Sequence, residues 1–582
     1  MTLRVVLSAG LAVALAFASL APAVAQEARR PFPLESGMAR ALPELARHGM
    51  VVSQEARATQ IGVDILKRGG NAVDAAVAVG FALAVTLPRA GNIGGGGFMV
   101  LHLAKSGENV AIDYREMAPA DTPKNVFLDD AGNFVPDKSQ QSALGIGVPG
   151  TVAGLALAHK SYGSGKLTLA DLITPAIALA RDGITVDETL SDSLTAAAAR
   201  LSRYASSRAI FLNPDGSAPA PGAKLFQPEL AATLEAIAEA GPEGFYSGDT
   251  ALRIAAAVRR AGGRMTADDV GAYRAVVRPA VTGTYRGHTI VSMPPPSSGG
   301  IHVIQILNML EAFPMGDLGL NSAASIHLLA EAMKRAYADR SLYLGDPDFV
   351  KIPTKQLISK AYADELCATI SPDRATPSTE VKPGTIAPYE GDQTTHFSII
   401  DADGNGVANT YTLNFYYGSA LVAEGTGILL NNELDDFAAK PDAPNAFGLT
   451  GGEANAPGPR KRPLSSMSPT LVLKDGLLEM VTGSPGGSRI ISTVVQVILN
   501  GLDHGLNAAE AVAAPRIHHQ WLPDELRVEQ GISADTLAVL KARGHVVVPG
   551  RTMGLSETIF AKEGILSGAA DPRQRNAAAA GY

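Results

Sequence analysis

Apolar residues follow two different periodicities along the chain. Where they recur every three to four positions they predict helices, at 49–87 with a break at Gly69-Gly70, 167–182, 190–205, 228–240, 302–312, 323–344 and 490–502. Where they alternate with polar residues or form short runs they predict strands, at 98–103, 110–114, 285–294, 395–401, 406–413, 469–473, 478–482, 526–528 and 546–548. The pattern therefore predicts a mostly helical first part and, after about residue 371, a part in which strands dominate.

An apolar run at the N-terminus predicts an export signal. Arg4 supplies the positive start, residues 5–20 the apolar run, and Ala23-Val24-Ala25 the small residues that precede cleavage. An uncleaved membrane anchor is the alternative, but the run is shorter than the ~20 residues that span a bilayer. A second apolar stretch, 75–87, is also too short and predicts a buried helix. We therefore expect a signal peptide at 1–25 and an exported protein, periplasmic or secreted, without a membrane span once the signal is removed.

Composition excludes several classes of protein. With 46% apolar and 18% charged residues, this chain of 582 residues is unlike a disordered protein. Its 60 glycines and 37 prolines show no period, which excludes a collagen-like fibre. The formal net charge of −8 argues against nucleic acid or an anionic membrane surface as a partner. Cys367 is the only cysteine, so the chain forms no intramolecular disulfide and no cysteine-based zinc site.

Two segments rich in glycine or proline stand out. Residues 94–97 are four glycines at the start of a predicted strand, which indicates that the backbone there passes close to another group. A polar stretch before Thr394 is punctuated by Pro372, Pro377, Pro383 and Pro388. A domain linker and a processing site both fit this second segment.

A series of motifs makes the chain closely resemble the γ-glutamyltranspeptidase family from about residue 49 to Tyr582. Any one motif could occur by chance, whereas the full set in this order is highly specific. The motifs are GGGG at 94–97, DYREMAP at 113–119, PPPSSGG at 294–300, QTTH at 393–396, LLNN at 429–432, RPLSSMSPT at 462–470, TGSPGGSR at 482–489 and the final AGY.

The resemblance implies a fold and a maturation step. Members of the family are N-terminal nucleophile hydrolases, α+β proteins with a four-layer αββα sandwich, made as one precursor that cuts itself before a threonine. Here the cut bond would join Gln393 to Thr394. It would give a large fragment, 26–393, and a small fragment, 394–582, which associate as a heterodimer within one domain. The proline-punctuated stretch is then interpreted as a processing site.

The resemblance also implies a catalytic group. Thr394 matches the nucleophile, and the α-amino group freed by cleavage is the base that a weakly nucleophilic hydroxyl needs. Thr412 matches a second threonine whose hydroxyl bonds the nucleophile, with an ordinary strand threonine as the alternative. Gly486 and Gly487 match an oxyanion hole, in which backbone N–H groups meet the developing negative charge.

The remaining matches imply a pocket for a zwitterion. Arg115 matches the residue that binds the α-carboxylate of a γ-glutamyl group, because a guanidinium suits a carboxylate bidentately. The alternative for Arg115 is a surface ion pair with Glu116 or another acid. Ser465 and Ser466 match hydroxyls that hold the same carboxylate. The residues that match the α-ammonium pocket are Asn414, Glu433 and Asp436.

The implied reaction is acyl transfer on small-molecule substrates. The γ-glutamyl group of glutathione or a related compound passes through an ester on the threonine to water, an amino acid or a dipeptide, with no metal or organic cofactor. The sequence departs from many bacterial members at Phe447, in the stretch 441–459 that matches a lid over the pocket. Those members have a tyrosine there, whose hydroxyl bonds the asparagine that Asn414 matches. We expect a lid held more loosely in this chain.

Two alternatives stay open at this point. A glutaryl (cephalosporin) acylase of the same superfamily would share Thr394, Thr412 and the two glycines. Its substrate has no α-ammonium, however, so the acid at Asp436 favours γ-glutamyl substrates. A non-catalytic exported binding protein on the same fold would not need the threonine and the glycines, and it would stay uncut.

Overall fold

Two antiparallel sheets lie face to face at the centre of the molecule. The computed structural model describes residues 41–381, 394–440 and 451–582. Sheet I consists, in spatial order, of β21 (Ala578–Gly581), β2 (Met50–Ser53), β10 (Thr395–Ile400), β11 (Gly406–Thr412), β3 (Gly96–Leu103), β4 (Glu108–Tyr114) and β7 (Val276–Pro279). Sheet II consists of β1 (Glu44–Ala46), β20 (Ile565–Ala569), β19 (Thr558–Lys562), β15 (Leu477–Thr482), β14 (Thr470–Lys474), β9 (His288–Ser292) and β8 (Val281–Tyr285).

Three small sheets lie outside this pair. They are formed by β5 (Ile184–Thr185) with β6 (Lys224–Leu225), by β12 (Val422–Ala423) with β13 (Ile428–Leu429), and by β16 (Ile517–His518), β17 (Leu526–Val528) and β18 (Val547–Pro549).

Helices cover the outer faces of both large sheets. In the first half of the chain they are α1 (Ala56–Lys67), α2 (Ala72–Thr86), α3 (Pro136–Gln140), α4 (Thr151–Tyr162), α5 (Leu169–Asp182), α6 (Glu188–Leu201), α7 (Ala205–Phe211), α8 (Pro228–Ala240), α9 (Glu243–Tyr246), α10 (Gly248–Arg260) and α11 (Ala267–Ala272). In the second half they are α12 (Gly299–Leu310), α13 (Met315–Leu318), α14 (Ala323–Tyr343), α15 (Thr354–Leu357), α16 (Lys360–Cys367), α17 (Arg489–Leu502), α18 (Ala508–Ala513) and α19 (Ala534–Ala542).

The helices and sheets stack as four layers. Helices α1 and α2 pack on sheet I, and α12 packs on sheet II with α14 and α17 against it. One hydrophobic core lies between sheet I and helices α1 and α2, and a second core includes the side chains between the two sheets. All of these elements belong to one compact unit, Leu42–Tyr582. The α+β sandwich with the layer order αββα, implied by the motifs, is confirmed.

Alternation along β10 and β11 places two threonines between the sheets. Phe397 and Tyr411 lie in the core shared with α1 and α2, whereas Ala408 lies in the core between the sheets. Since residues two apart in a strand share a face, Thr412 lies on the same side as Ala408. Thr394 immediately precedes β10, and the β10–β11 register sets it opposite Thr412.

The four glycines at 94–97 allow backbone to approach backbone, as their pattern predicted. A Cβ added to Gly94 would lie 2.0 Å from the carbonyl oxygen of Leu429, and one on Gly95 would lie 2.1 Å from that of Thr412. No larger residue fits at either position. The glycine run therefore supports the end of β11 that carries Thr412.

Two regions differ from the predicted elements. The stretch 49–87 begins with strand β2 rather than helix, and α1 and α2 follow, separated near Gly69-Gly70 as predicted. The stretch 285–294 is not one strand, because β8 ends at Tyr285 and β9 begins after a two-residue turn. Arg286 and Gly287 in that turn both have positive φ, 47° and 75°, which is typical of a tight hairpin.

The apolar stretch 75–87 falls in α2, whose residues are all buried, as predicted. Among the described residues, no helix is both long and apolar enough to cross a membrane. The predicted signal peptide, 1–25, lies outside the described residues.

Candidate active site

Thr394 and Thr412 meet at one end of a small pocket. Their Oγ1 atoms are 3.4 Å apart, which is longer than an ordinary hydroxyl–hydroxyl hydrogen bond. The Thr412 hydroxyl also accepts the N–H of Asn414 at 2.9 Å. Asn414 has a positive φ of 72°, a conformation that asparagine tolerates better than most residues. This turn directs the chain from β11 into the pocket wall.

Two glycines follow β15 and precede α17. Gly486 and Gly487 have φ values of 132° and 54°, both on the positive side that favours glycine. Neither N–H donates to an acceptor in the described part of the chain. Helix α17 begins at Arg489, so its N-terminal end, which carries partial positive charge, lies at this loop. The two N–H groups and the helix end together favour negative charge here.

Arg115 follows β4 directly, and its side chain is fully buried. Its Nη1 donates to Glu433 Oε1, and its Nη2 donates to Asp436 Oδ2 at 2.5 Å. A carboxylate oxygen of Glu116 lies 3.9 Å from Nη1. Both Glu433 and Asp436 come from one 3-10 turn, Glu433–Asp436. Arg115 thus forms ion pairs, but with acids of the pocket and away from the surface.

Burial raises the pKa of all three acids around Arg115. It raises the pKa of Glu116 to about 7 and that of Glu433 well above its ordinary range, and it also raises the pKa of Asp436. The charge of Arg115 acts in the opposite direction and offsets only part of this effect. When ionised, the three acids carry more negative charge than Arg115 neutralises, so the cluster favours either a proton or a second cation.

Two buried acceptors in the pocket wall have no partner. Asn414 Oδ1 and Glu433 Oε2 accept no hydrogen bond from any described residue. The Asn414 Nδ2 donates to the Asn432 carbonyl at 3.0 Å, which fixes the amide with its oxygen on the other side. A buried acceptor left without a donor costs about 1–3 kcal/mol. The pocket is therefore suited to a ligand that brings a hydrogen-bond donor.

The PPPSSGG motif supports the loop that carries Ser465 and Ser466. Both the N–H and the hydroxyl of Ser298 donate to the Ser465 carbonyl, at 2.8 and 2.7 Å. A Cβ on Gly299 would lie 2.3 Å from Ser468 Oγ, so the loop packs directly against the backbone. Arg340 of α14 donates to the hydroxyls of Ser298 and Ser466 at 2.9 and 3.1 Å.

Most of the residues matched by motif line one pocket with about 280 Å³ of empty space. Its lining comprises Arg115, Thr394, Thr412, Asn414, Glu433, Asp436, Ser465, Ser466, Met467, Gly487 and Ile490. Gly486 instead lines a neighbouring cleft. Gln393 and Phe447 lie outside the described residues.

Four residues at the pocket were not among the site residues that the motifs predicted, although Glu116 was named as an alternative ion-pair partner of Arg115. Met467 and Ile490 are apolar parts of its lining, and Glu116 and Arg340 are charged groups behind it. Glu116 lies in the motif DYREMAP, and its place next to Arg115 in that motif could have identified it as a site residue. Arg340 lies in a helix without any such motif, and burial lowers its pKa to about 10.

Comparison with known proteins decides the family. A family model described as gamma-glutamyltranspeptidase matches residues 58–581. The chain belongs to the γ-glutamyltranspeptidase family. The glutathione hydrolase proenzyme of Escherichia coli (strain K12) is 55% identical over 542 residues, which cover 93% of each chain. Membership in this enzyme family confirms the resemblance carried by the motifs and disfavours a non-catalytic binding protein.

Two solved structures show that this family shares its fold with acylases. Cephalosporin acylase from Bacillus halodurans superposes with a TM-score of 0.83 at 28% identity, covering 94% of this chain and 98% of that one. The gamma-glutamyltranspeptidase of Helicobacter pylori has a TM-score of 0.56 at 47% identity, covering 60% of this chain and 97% of that one. The fold alone therefore does not distinguish γ-glutamyl from glutaryl substrates, and the distinction must be argued from the residues of the pocket.

Proposed function

We propose that this γ-glutamyltranspeptidase family member removes the γ-glutamyl group from glutathione and related amides and passes it to water, an amino acid or a dipeptide. The observation that carries the proposal is the pair of unpartnered acceptors, Asn414 Oδ1 and Glu433 Oε2, in the pocket that also holds Thr394. An α-ammonium group supplies the donors that these atoms lack. A glutaryl group, which has no ammonium, would leave both unsatisfied.

The pocket also provides hydrogen-bond donors for the α-carboxylate of the substrate. Arg115, Ser465 and Ser466 line the same pocket and suit an α-carboxylate. When a γ-glutamyl group binds, its carboxylate replaces part of the pairing between Arg115 and the acids, and its ammonium takes up the acids so released. The exchange keeps every buried charge paired, which a substrate lacking either group cannot do.

The proposed chemistry proceeds in two acyl transfers. Oγ1 of Thr394 attacks the γ-carbonyl carbon while its proton passes to the free α-amino group of the same residue. The oxyanion is stabilised by the N–H groups of Gly486 and Gly487, and the C–N bond breaks as the leaving amine takes the proton. Water or an acceptor amine then attacks the ester carbonyl and restores the Thr394 hydroxyl. Thr412 orients the nucleophile.

We propose the same hydroxyl for maturation of the chain. Oγ1 of Thr394 attacks the carbonyl carbon of Gln393, the peptide bond is replaced by an ester, and water hydrolyses it. This yields fragments 26–393 and 394–582, once a signal peptide, 1–25, is removed on export to the periplasm or the medium. Strand β10 pairs with β2 and β11 with β3, so the two fragments would share sheet I.

The oxyanion role of Gly486 gives a matched test. Alanine keeps the backbone N–H but does not readily adopt the φ of 132° found at Gly486. In Gly486→Ala we therefore expect the N–H to move away from the oxyanion and kcat to fall about 100-fold, since loss of one oxyanion contact costs ~2.7–4 kcal/mol. A new Cβ would meet Gly554 only at 3.4 Å, so the change acts through the backbone conformation. Gly476, with a φ of 81° and open space around it, is the control. Gly476→Ala should cost similar stability in thermal unfolding and no activity; equal activity losses in both variants would contradict the role.

The raised pKa values give a pH dependence. As pH falls through about 7, Glu116 takes up a proton, and the acid cluster around Arg115 loses part of its attraction for an ammonium. The KM for a γ-glutamyl donor should therefore rise toward acid pH, in initial-rate measurements with γ-glutamyl-p-nitroanilide. In Glu116→Gln the increase in KM near pH 7 should be smaller than in the wild type. A KM that stays constant from about pH 8 to pH 5.5 in the wild type would contradict this assignment.

The choice between the two substrate classes can be tested directly. Purified protein is incubated with γ-glutamyl-p-nitroanilide and with glutaryl-p-nitroanilide, which differ only in the α-amino group. We expect kcat/KM to favour the γ-glutamyl anilide by at least about 100-fold, because two buried acceptors otherwise stay unsatisfied. Equal or better turnover of the glutaryl anilide would identify the protein as an acylase.

A further inference from the structure

Helix α14 places a buried arginine directly behind the loop that carries Ser465 and Ser466. Arg340 is 4% exposed and is not part of the pocket lining itself. Its Nε donates to the Ser298 hydroxyl at 2.9 Å, and its Nη2 donates to the Ser466 hydroxyl at 3.1 Å. Because Ser466 does line the pocket, Arg340 is connected to the site through this hydroxyl.

The direction of these hydrogen bonds leaves the proton of the Ser466 hydroxyl available to a ligand. A guanidinium has donors and no acceptor, so the Ser466 oxygen accepts from Arg340. The hydroxyl proton of Ser298 is already used, because it is donated to the carbonyl of Ser465 at 2.7 Å. The proton of Ser466 has no acceptor in the described part of the chain. An anion in the pocket would supply one.

Arg340 also lacks the acid that usually accompanies a buried charge. In the same helix Arg335 pairs with Glu331 at 2.8 Å, whereas no carboxylate of the described residues pairs with Arg340. Burial lowers the pKa of Arg340 to about 10, and the negative charge of Asp436 offsets only part of this effect. Arg340 is therefore protonated at neutral pH. A buried cation without a paired acid favours an anion close by.

A second residue of α14 supports the other loop of the site. Tyr337, one turn before Arg340, donates its hydroxyl to the carbonyl of Ser488, which follows Gly487. Burial raises the pKa of Tyr337 above its ordinary value, so its side chain is neutral. One helix therefore supports the glycine loop through an uncharged group and the serine loop through a charged one.

We propose that Arg340 is a positioning residue for the α-carboxylate of the substrate: it holds the Ser466 hydroxyl as a donor toward that carboxylate and supplies positive charge behind it. The proposal rests on the proposed function, which places a γ-glutamyl group in this pocket. Arg115 then binds the carboxylate directly, whereas Arg340 acts through Ser466. Since Arg340 belongs to the proposed large fragment and Ser466 to the small one, both fragments would hold the carboxylate.

Two donors that differ only in the α-carboxylate test this role. They are γ-glutamyl-p-nitroanilide and 4-aminobutanoyl-p-nitroanilide, which keeps the ammonium and lacks the carboxylate. In Arg340→Met we expect kcat/KM for the γ-glutamyl anilide to fall about tenfold or more, mainly through a higher KM, because a charge-assisted contact to the substrate is weakened. The value for the 4-aminobutanoyl anilide should change less than about twofold. Arg340→Lys keeps the charge and should recover part of the loss.

Tyr337→Phe is the matched control on the same helix. It removes one hydrogen bond to the glycine loop, so it should change kcat/KM for both donors by the same factor. In Arg340→Met, equal losses on both donors would show that Arg340 is only a structural support and would overturn the inference. An unchanged value for the γ-glutamyl anilide would overturn it as well.

Double variants with the two adjacent serines show which hydroxyl transmits the effect. The Ser466 hydroxyl accepts from Arg340, whereas the Ser465 hydroxyl accepts from the N–H of Met467 at 3.1 Å. Arg340→Met combined with Ser466→Ala should therefore lose little more activity on the γ-glutamyl anilide than the weaker of the two single variants. Combined with Ser465→Ala, the two losses should multiply. Losses that multiply in both double variants would overturn the inference.

Two practical outcomes have a defined alternative. If Arg340→Met does not mature, the same comparisons are made with Arg340→Lys, and if the wild type cleaves the 4-aminobutanoyl anilide too slowly to measure, the double variants decide. A wild type that cleaves neither donor, or that prefers glutaryl-p-nitroanilide, would overturn the proposed function and the inference with it. A wild type that prefers the γ-glutamyl anilide, with the same preference in Arg340→Met, would overturn the inference alone.

Discussion

Thr394→Ala is expected to yield a single uncut chain that does not release amine from γ-glutamyl-p-nitroanilide. In the proposed mechanism both steps use the Thr394 hydroxyl, so one substitution should remove maturation and turnover together. We expect kcat to fall at least about 1,000-fold, because no other hydroxyl occupies the position of the nucleophile. Gel electrophoresis and initial rates measure the two outcomes separately.

Two further variants isolate the nucleophile from its surroundings. Thr394→Ser keeps the hydroxyl and should mature slowly and retain measurable turnover. Thr395 is the adjacent residue, buried on the opposite face of β10, and its hydroxyl has no partner in the described residues. Thr395→Val should therefore mature and turn over like the wild type. Normal cutting in Thr394→Ala, or loss of cutting in Thr395→Val alone, would contradict the assignment.

Arg115→Met is expected to have the second-largest effect. The guanidinium is the partner of the buried acids Glu116 and Glu433 and of the largely buried Asp436, and removing one partner of a buried ion pair costs about 3–5 kcal/mol. We expect a lower midpoint in urea unfolding and a fall of at least about 1,000-fold in kcat/KM. Arg115→Lys keeps the charge but loses the two-pronged geometry, so it should raise KM for the donor more than it lowers kcat.

A double variant separates the structural role of Arg115 from substrate binding. Arg115→Met with Glu433→Gln removes one of the acids left without a partner. It should recover part of the lost stability, measured by the same urea titration, and none of the activity. Recovery of both together would show that Arg115 acts only as a structural partner of the acids.

The strands that form the centre of the fold were predictable because their side chains alternate. Residues 395–401 and 406–413 gave the β10–β11 pair almost to the residue. β2 was missed because its four residues are all buried and show no alternation. β21 is composed of alanine and glycine, which have low strand propensity, and it is held in place by pairing with β2.

The candidate site was predictable to the extent that motifs contain it. The motif matches gave Arg115 and the acids, but they could not show that Arg115 bonds these acids without substrate. Helix α14 illustrates what periodicity cannot reveal. It buries Glu331, with which both Lys334 and Arg335 pair, and it places Arg340 behind the pocket, where it donates to the Ser466 hydroxyl. In the sequence, buried charged residues that pair with each other along a helix look the same as charged residues on a solvent-exposed helix face.

The central claim is that Thr394 becomes the N-terminal nucleophile that carries the γ-glutamyl group. Mass spectrometry of purified protein, acid-quenched during turnover of a γ-glutamyl substrate, tests it most directly. The account predicts two chains, the smaller beginning at Thr394, with one γ-glutamyl group added and mapped to the N-terminal residue of that chain. A single uncut chain that turns over substrate, or an acyl group on any other residue, would contradict it.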